Sequence, residues 1–352
     1  MEKVTIQSIA KDLGLSRNTV SMAIKGNELV APRTRDMVLE YARKVGYLNA
    51  GMEFGKDGER SKEEGQSSLR GQEAYHIMIL RKPDVAVYWD KVINGISEEG
   101  SQNNCQTQVA VVTDEDEEKL LLPPGLDERI HAVLCVKFVK VEYLSKIKDM
   151  GIPIILLDNY KNWGTKAMGD IVKAEGFNKV AELTKHLIDQ GMTRIGYLSE
   201  NSARCETMYD RYDGYQYAIR KANLCPNPST VIPNATSDFF YSAQTFEDIV
   251  DSYEEIPEAV VCGNDEIAKY LTWALRKKGF RVPEDVAVTG FDNDEEMMLD
   301  PFFTTVHVDA KWLGRRMIQC FLWRMKNPDA PYEKVIVDCK TIIRKSSCQR
   351  VR

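Results

Sequence analysis

Seven short runs constrain the fold of this chain more than any other feature: YHIMIL (75–80), TQVAVV (107–112), HAVLCV (131–136), IPIILL (152–157), TRIGYL (193–198), EAVVCG (258–263) and DVAVTG (285–290). Each is apolar on both faces of a prospective strand, and amphipathic helical stretches separate them. Strands buried on both sides belong to parallel sheets with helices on each face, so the spacing predicts a doubly wound α/β fold. There are enough strands for two such sheets, and 352 residues exceed what one ordinary core organises.

The first 47 residues follow a different period. Three short helical pieces are expected. The first follows a possible cap at Thr5 and turns its face Ile6, Ile9, Ala10 and Leu13 inward until Gly14 turns the chain. The second follows a cap at Ser16, with Val20, Ala23 and Ile24 inward; the third begins at Pro32 and carries Val38, Leu39, Ala42 and Val45 before Gly46. Two helices joined by a tight glycine turn, with a third across them, form a helix-turn-helix. The net charge of −6 argues against nucleic acid only as an average. Residues 1–50 hold eight basic against five acidic side chains, so this segment is +3 and the remainder −9. Between the two parts, residues 49–72 are rich in Gly, Ser and charge and read as a linker.

Several classes are excluded. The eight cysteines are scattered without a Cys-x-x-Cys pair and read as buried thiols in a reducing compartment. His76, His131, His186 and His307 are isolated along the chain, so no metal site and no cofactor are expected. No apolar segment resembles a signal peptide or a membrane span, which places the protein in the cytoplasm.

In a helix-turn-helix the second helix enters the major groove and its first residues meet base edges. Arg17 and Asn18 follow the cap Ser16; arginine can pair with guanine and asparagine with adenine, each pair contributing roughly 1–3 kcal/mol of discrimination. Met22, one turn on, offers apolar contact to a thymine methyl or simply packs. Thr5, Ser21, Lys25, Asn27, Arg33 and Thr34 suit phosphate contacts. Taken alone, Arg17 and Asn18 are equally consistent with solvated first-turn residues.

The stretches VTIQSIAKDLGLSRNTVSMAIKGN and VAPRTRDMVLEYARKVGYLNA resemble the headpiece of the lactose-repressor family of bacterial transcription regulators. The resemblance continues through IPIILLDN, HLIDQGMTRIGYL, DRYDGYQYAI, CGNDEIA, RVPEDVAVTGFDND and TTVHVDAKWLGRRM, over nearly the whole chain. It implies a headpiece at 1–48, a linker at 49–73 with a hinge helix near 63–71, and an effector-binding and dimerisation domain at 74–352. That domain would resemble periplasmic sugar-binding proteins, with one lobe at about 74–172 and 304–330 and the other at about 173–303 and 331–346. Two departures stand out. About fourteen extra residues precede QSSLRG, whose Leu69 aligns with the family's minor-groove wedge. Ala31 stands where the family caps the third helix with serine, at a cost of about 1 kcal/mol.

Ligands of doubly wound sheets sit beyond the carboxyl ends of strands. Asp158, Asn264 and Asp292 end or follow such strands, and the resemblance gives Arg211 a ligand-contacting role. Tyr88 and Trp89 precede a helix at the mouth and suit stacking on a sugar ring. Each also has a plain structural reading: helix caps for Asn264 and Asp292, a turn for Asp158, surface pairing with Asp210 or Asp213 for Arg211, core packing for the two aromatics. The acidic run 114–118 reads as a solvated helix start. Few basic residues are expected in the cleft, which favours a neutral sugar over a phosphate. The resulting expectation is a non-enzymatic repressor: a homodimer that binds a pseudo-palindromic double-stranded operator under the control of a small ligand. A cytoplasmic sugar-binding protein or a carbohydrate-active enzyme is the alternative, without a nucleotide loop, nucleophile elbow or histidine pair to support catalysis.

Overall fold

The computed structural model describes residues 6–16, 19–20, 23, 31–45, 74–83, 87–137, 139–158, 167–200, 205–225, 230–235 and 240–348. Thr5, Arg17, Asn18, Ser21, Met22, Lys25, Asn27 and Leu69 lie outside them. The chain divides into two compact units, Met1–Gln72 and Glu73–Arg352.

In the first unit, helices Ile6–Asp12 and Pro32–Lys44 flank a segment in which Thr19, Val20 and Ala23 are helical. Ile9, Ala10, Val20, Ala23, Val38, Leu39 and Ala42 form one buried cluster, with Leu13 and Val45 packed against it. This is the inner face that the helical period predicts. Gly14 takes φ +66°, as the tight turn requires. The Ser16 hydroxyl accepts from the Thr19 amide at 3.0 Å, which caps the second helical segment. Arg33 is exposed and Thr34 half-buried at the start of the third helix, and the Arg35 amide closes on the Ala31 carbonyl.

The second unit holds two parallel sheets. The first, in the order β11-β5-β4-β3-β1-β2, comprises β1 (Tyr75–Arg81), β2 (Cys105–Val111), β3 (Ala132–Cys135), β4 (Ile154–Leu157), β5 (Asp170–Ala174) and β11 (Lys334–Val337). The second, in the order β7-β6-β8-β9, comprises β6 (Ile195–Glu200), β7 (Val231–Ala235), β8 (Ala259–Cys262) and β9 (Ala287–Thr289). In β1, Ile77 and Ile79 bury against one face and Met78 and Leu80 against the other, as a doubly covered strand demands. The helices are α1 (Val87–Gln102), α2 (Asp114–Glu118), α3 (Val141–Lys148), α4 (Phe177–Asp189), α5 (Glu206–Lys221), α6 (Ala243–Asp251), α7 (Asp265–Lys277) and α8 (Ala310–Lys326).

An antiparallel pair, β10 (Thr305–His307) with β12 (Lys340–Ile342), lies where the chain passes between lobes. From β10 it enters α8, which packs on α1 so closely that a Cβ at Gly95 or Gly314 would fall 2.0 Å from a backbone oxygen. The lobe boundary differs from expectation at one element. Residues 334–337, assigned above to the second lobe, hydrogen-bond to β5 in the first sheet, because their apolar letters complete its open edge. Lys173 and Ala174, at the end of β5, belong to the first lobe for the same reason.

Three smaller readings also change. The acidic run forms α2 with a Thr113 capping box, but Glu117 is buried and pairs with Lys82 at 2.7 Å instead of facing solvent. His76 and His131, distant in sequence, stack with ring centroids 5.9 Å apart. Among the eight cysteines, Cys225 and Cys348 are exposed and the other six buried, all as free thiols.

Candidate ligand-binding site

The two lobes enclose a cavity of about 750 Å³, within the range of small-molecule sites. Tyr88, Trp89, Asp158, Arg211, Asn264 and Asp292 all line it, although they come from five separate segments of the second unit. The cause is topological: the cavity lies beyond the carboxyl ends of both sheets, where the loops after β4, β8 and β9 converge with the first turns of α1 and α5.

Arg211 is a buried cation of the cavity, with its side chain 7% exposed. Its Nη1 donates to the Gly263 carbonyl at 2.5 Å, its Nη2 to Asp292 at 3.4 Å, and the guanidinium lies 3.6 Å from the centre of the Phe291 ring. The surface pairing with Asp210 or Asp213 is therefore not what this side chain does. Its buried Nε has no acceptor among the described residues, an arrangement that costs free energy until one arrives. Asp292 takes φ +100° and Asp158 φ +65°, left-handed backbone conformations uncommon for non-glycine residues. Burial pushes the Asp292 carboxyl up to about 6, opposed by Arg211 and reinforced by Asp294 and Glu200.

Asn264 does cap α7, its Oδ1 accepting from the Ile267 amide at 2.8 Å. Its Nδ2 still reaches the Tyr241 hydroxyl at 3.0 Å, so the cap also orients a second ring on the cavity wall. Asp158 accepts from the Thr207 amide at 3.2 Å and from the Cys205 thiol at 2.8 Å, which ties the end of β4 to the start of α5. Tyr88 and Trp89 meet edge to face at 4.9 Å, half-buried, packing on the core while lining the cavity.

The expectation of few basic residues in the cleft is corrected. Lys91, Lys137, Lys173 and Lys269 line it besides Arg211, opposed by Asp158, Glu200, Glu266, Asp292 and Asp294. Folding brings these lysines together from two helices, a strand and a loop, and most are matched internally. Lys91 pairs with Glu296, Lys173 with Glu206 and Asp210, and Lys269 with Asp294 at 3.7 Å. The formal charge of the wall is balanced, an environment for polar groups without net charge. Glu200, Tyr241, Glu266 and Tyr270 escape the sequence reading; only Glu200, at the end of an apolar run, carried a positional signal.

Asp292 makes a testable pH effect. Its folded-state value near 6 lies above the usual 3.8, so the folded protein holds the proton more tightly than the unfolded chain. The stability this contributes is full below about pH 4 and is lost as pH rises to about 6. A ligand that needs the carboxylate as acceptor should bind up to tenfold more weakly per unit below pH 6. Isothermal titration from pH 5 to 8 checks this, and Asp292→Asn should flatten the profile.

A cleft of this form on a domain that follows a helix-turn-helix defines a ligand-controlled regulator of transcription. Residues 184–348 match the family described as periplasmic binding protein-like domain. The HTH-type transcriptional repressor PurR of Haemophilus influenzae is 28% identical over 97% of this chain and 98% of its own length. In fold the chain is similar to the structure of the transcriptional regulator CelR in complex with cellobiose (TM-score 0.66, 20% identity, covering 98% of this chain and all of that one). It is also similar to the lac repressor dimer bound to operator and the anti-inducer ONPF (TM-score 0.63, 16% identity, covering 98% and 99%). These similarities support a ligand-controlled transcriptional repressor that binds DNA and a small-molecule effector.

Proposed function

We propose that this repressor acts in the cytoplasm as a homodimer on a pseudo-palindromic operator, and that its effector is a carbohydrate held by Arg211, Asp158, Asp292 and Asn264 against Tyr88 and Trp89. The observation that carries the carbohydrate reading is the cavity wall itself. Carboxylates, an amide and a guanidinium fork alternate with aromatic faces, and the formal charge is balanced. The complex of CelR with cellobiose, a fold relative, supports the same class.

Dimerisation is supported by three consecutive apolar residues in the loop before β10, Met297, Met298 and Leu299, exposed by 88%, 53% and 107%, with Trp273 also open to solvent. Two headpieces related by a twofold axis read half-sites one helical turn apart. In each half-site Arg17 and Asn18 meet base edges, Thr5, Ser21, Lys25, Asn27, Arg33 and Thr34 meet phosphates, Ser16 caps the helix at the DNA surface, Met22 meets a thymine methyl, and Leu69 is the wedge.

Two measurements test this. Selection of genomic fragments with the full-length protein should yield a salt-sensitive, twofold-symmetric sequence, and Arg17→Ala or Asn18→Ala should weaken its binding by about 10- to 100-fold. Failure of both sinks the operator reading. A thermal-shift panel of sugars, sugar phosphates and purines should show its largest shift with a neutral sugar, since a ligand at 100 times its Kd adds about 2.7 kcal/mol. A shift with purines alone replaces the carbohydrate.

A further inference from the structure

We infer that Lys173 is a positioning residue of the effector site, clamping the first turn of α5, the helix that carries Arg211, to the first lobe. The inference rests on the ligand-site reading above. β5 is a strand in which all five residues are buried, and Lys173 sits in it at 4% exposure. An ammonium in that place is costly unless matched. Its Nζ donates to Glu206 Oε1 at 2.8 Å and to Asp210, one turn further along α5. From the neighbouring strand β11, Lys334 reaches the same Glu206 oxygen at 2.5 Å. Asp158 completes the grip by accepting from the Thr207 amide and the Cys205 thiol. Thus β4, β5 and β11, all of the first lobe, converge on one helical turn of the second.

The chemistry suits a device that opens. Burial disfavours the Lys173 ammonium, but its two carboxylate partners outweigh this and keep it charged. Glu206 and Asp210 retain 18% and 28% exposure, so water can replace Lys173 around them when the lobes part. A half-solvated ion pair of this kind contributes little net stability, which leaves closed and open arrangements within reach of one another. An apolar contact in its place would favour closure under all conditions. Arg211 follows Asp210 directly, so the grip on this turn sets how closely the guanidinium, seated on Gly263 and Phe291, faces the first-lobe side of the cavity. Lys173 therefore decides whether the fork is in place before the effector arrives.

Hydrogen exchange on effector-free, full-length protein tests the clamp. In Lys173→Met, which keeps the volume and removes the charge, the amides of residues 207–210 should exchange at least 10-fold faster than in the parent. Those of β1 and β6 should be unchanged, and Lys173→Arg should restore protection. Unchanged exchange at 207–210, or an equal rise throughout β1 and β6, overturns the inference. Should Lys173→Met fail to fold, Asp210→Asn on the more solvated side should give a smaller acceleration confined to the same turn, and none there overturns it equally. Neither DNA nor effector enters the measurement, so its failure is separate from any failure of the carbohydrate or operator reading.

Discussion

Arg211→Met is expected to remove effector control: affinity for the best-shifting sugar of the panel falls at least 100-fold, while effector-free operator affinity stays within about threefold of the parent. Hydrogen bonds to a charged group contribute roughly 1.5–3 kcal/mol each, and each 1.4 kcal/mol is tenfold in affinity. Loss of the fork's contacts therefore exceeds two orders of magnitude. Methionine also leaves Asp292 without its cation, and the carboxyl, already pushed up to about 6, rises further. The variant should consequently be least stable, relative to the parent, at high pH, where that carboxyl is forced to ionise. Arg211→Lys should not rescue binding, because a point ammonium cannot span Gly263 and Asp292 as the planar fork does. Calorimetry and fluorescence anisotropy on an operator fragment check both halves; an intact effector response in Arg211→Met would remove this residue from the site.

The residues that the sequence made visible share one property, position at the end of a recognisable run. Asp158, Asn264 and Asp292 follow apolar strands, and strand ends in doubly wound sheets face the cleft whatever the side chain. The headpiece core was equally visible, since Ile9, Ala10, Val20, Ala23, Val38, Leu39 and Ala42 keep a helical period. β5 was hidden because DIVKA carries two charged letters, yet Asp170 and Lys173 are both buried, each matched by a partner far away in sequence. Periodicity reads polar letters as exposed and cannot see a partner on another element. The same blindness concealed β11, whose alternation resembles a surface strand, and left the lysines of the cavity uncounted. What the chain hides is its long-range charge matching, and that matching holds the lobes together.

Arg324→Met is expected to destabilise the effector-binding domain by about 3–5 kcal/mol, lowering its Tm by roughly 10 °C, because it breaks a fully buried ion pair from one side. Asp170 and Arg324 form a bidentate pair, with Nε and Nη2 each 2.8 Å from a carboxylate oxygen. Their side chains are 1% and 5% exposed. The guanidinium also donates to the carbonyls of Ala330 at 2.6 Å and Pro331 at 2.9 Å, so one side chain closes the connection from α8 to β11. Removal of the arginine strands a carboxylate in the core and frees those carbonyls together. Asp170→Leu combined with Arg324→Met should recover only part of the loss, because the Glu333 amide, 2.7 Å from Asp170, is then left without its acceptor. Circular dichroism melts of the single and double variants measure this, and a single-variant loss below about 1 kcal/mol would show the pair to be replaceable. The effect should extend beyond stability. Glu333 precedes Lys334, so the pair that anchors the start of β11 also fixes the second lysine on Glu206. Loosening it should speed exchange at the first turn of α5 even well below the transition temperature.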